Sequence, residues 1–193
     1  MLKFARRLIP RNRFARIGLG AVAFVLFLLV GPYLYSRAFS AMNTVSIMQL
    51  DVDDAVSSRG DSKAPGLRII AYNIAHGRGL SDSNWDGGTA GERNRRLADI
   101  GALLKRLDAD VVVLNEVDFN ASWSGGVDQA VYLAEAAGYR YRATIRNLNF
   151  RVGLWSWQFG NAVLSRYPIR EAQEIEMPGY ARWETVMAGI SIS

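Results

Sequence analysis

The chain has 193 residues, 50% hydrophobic and 21% charged, enough for one ordinary domain plus an extension and too apolar for a disordered polymer. It has no cysteine, which excludes a disulfide partner and any thiolate metal site; its one histidine, His76, excludes a multi-histidine zinc centre and would have to serve in any Ser-His-Asp triad. Seven of the 23 Lys and Arg residues and none of the 18 acids fall in residues 1–37, leaving 16 bases against 18 acids, a net of −2, so the pI near 9.7 is no argument for a nucleic-acid partner.

Residues 1–16 form a basic tail. Residues 17–35 carry no charge, and 19 residues at about 1.5 Å each match one hydrocarbon thickness. Tyr33 and Tyr35 suit the far interface. Six bases precede this span and only Arg37 follows closely, which predicts a cytoplasmic tail and a single-pass cell-membrane protein. Everything after residue 36 is then outside, periplasmic or extracellular. A cleaved signal peptide is the alternative, with Ala38-Phe39-Ser40 as its cleavage site. The long basic tail and extended apolar run favour an uncleaved anchor. Residues 36–65 read as a polar, aperiodic linker. Its Arg59-Gly60-Asp61 spells an adhesion tripeptide, which three letters do often by chance. Pro65-Gly66 closes it and opens a domain over 66–193.

Strand one is predicted at 67–75 and strand two at 111–118. Both are short and continuously apolar, the pattern of strands buried on both faces. Residues 76–89 form a glycine- and aspartate-rich loop. A helix follows, with Thr89 as N-cap and Glu92 three residues on, a capping box. Leu97, Ile100, Leu104 and Leu107 would face the sheet, with Arg93, Arg95, Arg96, Lys105 and Arg106 mostly solvated. The unit is β-α-β, so the strands are parallel and end on one sheet edge. Asn73 and Glu116 sit near those ends, where α/β sheets bind ligands. A carboxylate there is a natural ligand for a hard cation.

After Asp118 comes a loop with Trp123 and Gly125-Gly126, then a helix at 127–137 ending at Gly138. Residues 139–146 alternate strictly, which predicts a half-exposed strand whose arginines share a solvent face. Residues 147–159 read as an aromatic loop (Phe150, Trp155, Trp157, Phe159). It would cover the core, or else form a lip facing substrate or membrane. Strands are expected at 160–165, 170–176 and 181–192, with turns at Tyr167-Pro168 and Pro178-Gly179. The order β-α-β-α followed by several strands predicts a mixed-sheet α/β or α+β layer fold.

Four pieces resemble, in order, the endonuclease/exonuclease/phosphatase superfamily of DNase-I-like metal-dependent phosphodiesterases. They are Ala71-Tyr-Asn73-Ile with His76-Gly-Arg-Gly, Asp108 to Asp118 around Leu-Asn-Glu116, Gly160 to Ile169, and Arg182-Trp-Glu-Thr-Val-Met-Ala. The resemblance spans about residues 66–193. Many family members have Gln where Asn115 stands. It implies a four-layer sandwich of two β-sheets between helices, with an Mg²⁺ or Mn²⁺ site at one end. Glu116 matches the family's metal-binding glutamate, and Asn73 the asparagine that helps organise metal and phosphate. Asn161 and Arg182 match no assigned catalytic residue; they stand as substrate-side candidates against shaping a strand entry and surface pairing. His76 is not the family's catalytic histidine and is expected in loop structure or in contact behind the site.

The chain departs from the family in lacking its Gly-Asp-x-Asn stretch and late Asp-His pair. Both are expected beyond residue 193, in a longer protein of which this is the first part; a degenerate remnant is the alternative. Three functions follow as expectations. The first is a membrane-anchored, metal-dependent hydrolase of a phosphoester (lipid, nucleic acid or small molecule), with a charge balance that disfavours DNA. The second is an inactive, membrane-tethered binding module of the same fold. The third, a structural membrane protein with a soluble appendage, leaves Glu116 unexplained.

Overall fold

A computed structural model describes residues 12–39, 45–51, 66–81, 83 and 86–175. Helix α1, Arg13–Phe39, opens it, with Phe14 N–H donating to Asn12 Oδ1 at 3.0 Å. Most of its apolar side chains are exposed, Phe27 at 68% and Leu29 at 70%, so among the described residues it is no core helix. It is long and apolar enough to cross a membrane.

The remaining elements are β1 (Ser46–Gln49), β2 (Ile69–Asn73), α2 (Ala90–Leu107), β3 (Val111–Asp118), α3 (Gln129–Ala137), β4 (Tyr141–Val152) and β5 (Trp155–Ser165). The strands make one five-stranded sheet in the order β1-β4-β5-β3-β2. As the β-α-β reading requires, β2 and β3 are parallel, in register from Ile69↔Val111 to Asn73↔Asn115. All other pairs are antiparallel, so the sheet is mixed. The helix–sheet core is the mixed α/β class that the sequence predicts.

Helices α2 and α3 cover one face of the sheet. Leu97 and Leu104 of α2 and Leu133 and Ala134 of α3 bury against Val112, Leu114, Val117, Ala162 and Leu164. Each fully buried leucine contributes about 1.5–3 kcal/mol. The two helices meet at Gly101, where an added Cβ would lie 2.9 Å from the Ala136 methyl. The capping box forms as predicted: Glu92 N–H donates to Thr89 Oγ1 at 3.3 Å and Thr89 N–H to Glu92 Oε2 at 2.7 Å. Leu107, expected to face the sheet, is 40% exposed because α2 ends there.

Four expectations change. First, the stretch read as linker contains β1, whose four residues pair with Tyr141–Thr144. Second, β2 is an edge strand with alternating exposure, not a strand buried on both faces; among the described residues the helices cover one side of the sheet, and the irregular segment at Ala172-Gln173 lies by the other, near Val113 and Val163. Third, residues 147–159 are no loop. They continue β4, turn at Gly153-Leu154 and start β5. Gly153 has φ +56°, a value glycine adopts freely at the first turn position of a type II′ hairpin. Fourth, residues 170–175 adopt no regular structure, so the strand expected there is absent among the described residues. The predicted turn at Pro178-Gly179, the strand over 181–192 and Arg182 lie outside the described residues.

Candidate active site

Strand β2 ends at Asn73 because its side chain captures the backbone. Asn73 Oδ1 accepts from Ala75 N–H at 2.8 Å, closing a turn two residues long. Ala75, His76 and Gly77 then take φ of +48°, +54° and +69° in succession. Two of these are not glycine, so the turn is strained, and its carbonyls are held from outside. His76 O accepts from Arg93 Nη1 at 3.2 Å and from Gln129 Nε2 at 3.1 Å, and Gly77 O from Arg96 Nε at 2.9 Å. Arg93 and Arg96 are thus not on a solvated face; Arg93 is 2% exposed.

Strand β3 is irregular at the same level. Leu114 pairs with Ala162 and Val117 with Gly160, so Asn115 and Glu116 together stand opposite Asn161. This is a bulge, and it re-aims the side chain it carries. Glu116 has φ +54°, a left-handed value inside a strand. Its carboxylate is turned to the strand-end edge, 41% exposed. Asn73 Nδ2 donates to Glu116 Oε1 at 2.9 Å. One amide therefore ties the end of β2 to the bulge of β3, with Oδ1 on its own turn and Nδ2 on the carboxylate.

His76 lies behind this pair, 4% exposed. Its Nδ1 is hydrogen-bonded to Asp118 Oδ1 at 2.8 Å. Its Nε2 faces Glu116 Oε2 at 3.6 Å, too far for a hydrogen bond. Trp123 and Phe159 hold the ring edge-on, each with centroids 5.1 Å away. Asp118 is fully buried, and its charge acts on the Arg93 guanidinium, which also stacks over Trp123 at 5.1 Å. Burial pushes the Arg93 pKa down, and the Asp118 charge opposes that shift.

Asn73, His76 and Glu116 thus come together. Asn161 faces the bulge across the β3–β5 ladder but also lines a separate hollow with Val113, Ala143, Ile145 and Val163. The β4 arginines do not share a solvent face. Arg142 pairs with the Asp128 carboxylate at 3.1 Å, and Arg146 stacks over Phe119 at 5.2 Å. Sequence reasoning left Arg93, Arg96, Asp118, Trp123, Gln129 and Phe159 out of the site. Arg93 was findable, since it stands four residues before Leu97 on the buried stripe of α2.

The donor set bears on a divalent cation. Among the described residues no three His, Asp or Glu side chains converge on one ion position. Mg²⁺ is nevertheless often held by one or two carboxylates, with water and substrate phosphate oxygens completing its shell. Glu116 fits that pattern as a half-exposed, immobilised carboxylate. Asn73 presents its NH₂ to Glu116, leaving the second lone pair of Oδ1 as its only route to an ion.

No curated protein and no solved structure gives a match to the chain. The model of the Endonuclease/Exonuclease/phosphatase family matches residues 70–184, which contain both strand ends, the bulge and every residue of the cluster above. Its members are hydrolases of phosphoester bonds, generally dependent on a divalent metal. A match over more than half the sequence, with Asn73 and Glu116 joined at one sheet edge, establishes that the chain belongs to the Endonuclease/Exonuclease/phosphatase family.

Proposed function

We propose that this protein is a membrane-anchored, Mg²⁺- or Mn²⁺-dependent hydrolase of a phosphodiester or phosphomonoester, with its domain on the non-cytoplasmic side. The reading rests on one observation above the others: a strained bulge fixes Glu116 at the strand-end edge, where Asn73 holds it at 2.9 Å. Strain of this kind clusters at functional sites. Helix α1 and the charge asymmetry around it support the anchor and its orientation.

In this reading Glu116 would hold the ion through Oε2, with Asn73 fixing the rotamer through Oε1. A bound divalent ion neutralises charge on the phosphoryl oxygens and lowers the pKa of a bound water. His76, locked by Asp118, fills the space behind Glu116 and keeps it from swinging inward. Arg93, Arg96 and Gln129 hold the turn that carries His76.

The test is release of nitrophenol from bis-nitrophenyl phosphate by the full-length protein in micelles. Chelation with EDTA abolishes release, and Mg²⁺ or Mn²⁺ restores it. Glu116→Gln lowers turnover by about 100-fold or more, as loss of a group central to charge stabilisation does. Turnover unaffected by that variant removes Glu116 from the site. Among the described residues no cluster of three acidic or histidine side chains surrounds Glu116, the observation behind a second reading, an inactive tethered binding module. Calorimetry separates the two: a folded protein that takes up neither Mg²⁺ nor Mn²⁺ is the module.

A further inference from the structure

The β4–β5 hairpin runs well past the candidate site. Asp118, at the end of β3, pairs with Phe159, while β5 begins at Trp155. Four residues at ~3.3 Å each carry the tip roughly 13 Å beyond the edge that holds Asn73 and Glu116. There Leu154 is 97% and Trp155 68% exposed. Two large apolar side chains on one turn, with no core to cover among the described residues, are costly in water.

The tip also lies beside the end of α1. β1 covers the outer edge of β4 only over Tyr141–Thr144. Farther along that edge, Arg151 N–H donates to Ser36 Oγ at 3.1 Å, and Ser36 is 3% exposed. Pro32, one turn earlier, is half-buried, whereas Leu34 and Tyr35 are 60% and 47% exposed. Strand β4 therefore packs on the face of α1 marked by Pro32 and Ser36, at the boundary between its charge-free stretch and Arg37. If α1 spans a bilayer, that boundary is the headgroup level, where tryptophan is enriched.

We infer that the Val152–Trp155 tip is a lipid-contacting lip, seated in the outer headgroup layer beside α1. It turns the Asn73–Glu116 edge toward the bilayer surface. The partner is the lipid surface itself: Leu154 and Trp155 supply an apolar wedge with an N–H that suits the interface, and exposed Arg151 supplies a cation for phosphate headgroups. This inference rests on the anchor reading of α1. It also gives the family's hydrolytic site a substrate class, phosphoesters presented at a membrane surface.

The absence of cysteine makes the test direct. The full chain is reconstituted in phosphatidylcholine–phosphatidylglycerol nanodiscs as single-cysteine variants carrying an NBD fluorophore, with and without doxyl-labelled lipid. Leu26→Cys reports on the span, Leu154→Cys on the lip and Lys105→Cys on the opposite end of the sheet. That end is far away, because the 11 residues of β5 extend roughly 36 Å. The expected result is loss of emission at positions 26 and 154 and none at 105. Quenching at 26 without quenching at 154 overturns the lip and leaves the anchor intact. Quenching at 105 equal to that at 154 overturns the directed orientation. No quenching at 26 overturns the anchor reading, and the lip with it.

Discussion

The bulge at Glu116 makes a prediction whose sign is opposite to the usual one. In an ordinary strand position glycine is less stable than alanine by about 0.5–1 kcal/mol, because its unfolded backbone has more freedom to lose. At Glu116 the backbone is left-handed, with φ +54°. There a residue with a Cβ bears about 1–2 kcal/mol of strain that glycine does not. Glu116→Ala and Glu116→Gly both remove the carboxylate and its bond from Asn73, so their difference isolates the backbone. Strain relief of about 1–2 kcal/mol less an entropic loss of about 0.5–1 leaves glycine ahead by about 0.5–1 kcal/mol. For a chain of this size that is about 1–4 °C in melting temperature. The comparison site is Val113, three positions earlier on the regular part of β3, where alanine should be the more stable of the pair. Circular-dichroism melts of the four full-length variants in detergent micelles read both differences. If Glu116→Gly melts below Glu116→Ala by the margin found between the two Val113 variants, the strain is not there, and the geometry that aims Glu116 needs another cause.

Three further substitutions follow from the same structure. Thr89→Ala removes the cap of α2 and costs about 1 kcal/mol in urea unfolding; because hydrogen bonds from Thr89 hold the Glu92 pKa below its ordinary value, the part of this cost shared with Glu92 is present at neutral pH and fades as the pH falls below the usual carboxylate range toward the lowered one. Gly160→Ala places a methyl 1.9 Å from the Ile145 carbonyl oxygen, which the ladder between β4 and β5 cannot accommodate without moving; a loss of about 2 kcal/mol or more in thermal or urea melts is expected. Asp118→Asn keeps an acceptor for His76 but removes a buried charge that acts favourably on the Arg93 guanidinium, and should cost about 1–3 kcal/mol in the same melts, against under about 1 kcal/mol for the exposed Glu171→Gln.

What could be read in the sequence follows from which signals are local. The capping box of α2 is written in two residues three apart, and it forms. The meeting of Asn73 and Glu116 needs only two apolar runs, a helix between them and the rule that parallel strands end on the same edge; a 2.9 Å hydrogen bond joins the two. The bulge was not legible, because it is a mismatch between β3 and a partner 45 residues away, and neither strand alone records it. The burial of Arg93 was written in its phase with Leu97 but was hidden by residue type, since charged helical residues usually face solvent. The hairpin was hidden by composition: its aromatic residues made 147–159 read as a loop, although Asn147, Asn149 and Arg151 alternate with Leu148, Phe150 and Val152 at the period of a strand. β1 has four residues, too few for periodicity to separate from its surroundings.

Among the described residues, three of the five left-handed non-glycine residues and two buried side chains of opposite charge gather at one place. Ala75, His76 and Glu116, all left-handed and none a glycine, lie within the ends of two adjacent strands. Asp118 and Arg93, nearly or fully buried ions, sit directly behind them. A left-handed non-glycine residue costs about 1–3 kcal/mol, so each of the three opposes folding by roughly as much as one buried leucine favours it. A sheet selected for stability alone would end β2 with glycine and run β3 without a bulge. Here each irregularity serves the same geometry. The left-handed turn brings the His76 ring under the sheet edge, the Asp118 contact fixes that ring, and the bulge lifts Glu116 over it into contact with Asn73. Remove any one and the carboxylate loses either its aim or its support. The ribs Leu97, Leu104, Leu133 and Leu164 supply the stability that this edge consumes, which is why substitutions in that core should lower melting temperature without altering metal uptake, while Asn73→Ala, which loses two hydrogen bonds, should lower metal uptake as well as melting. Calorimetry with Mn²⁺ beside the melts distinguishes the two classes. If Asn73→Ala binds Mn²⁺ as tightly as the unaltered protein, the amide has no part in aiming Glu116, and the convergence of the two strand ends is structural only.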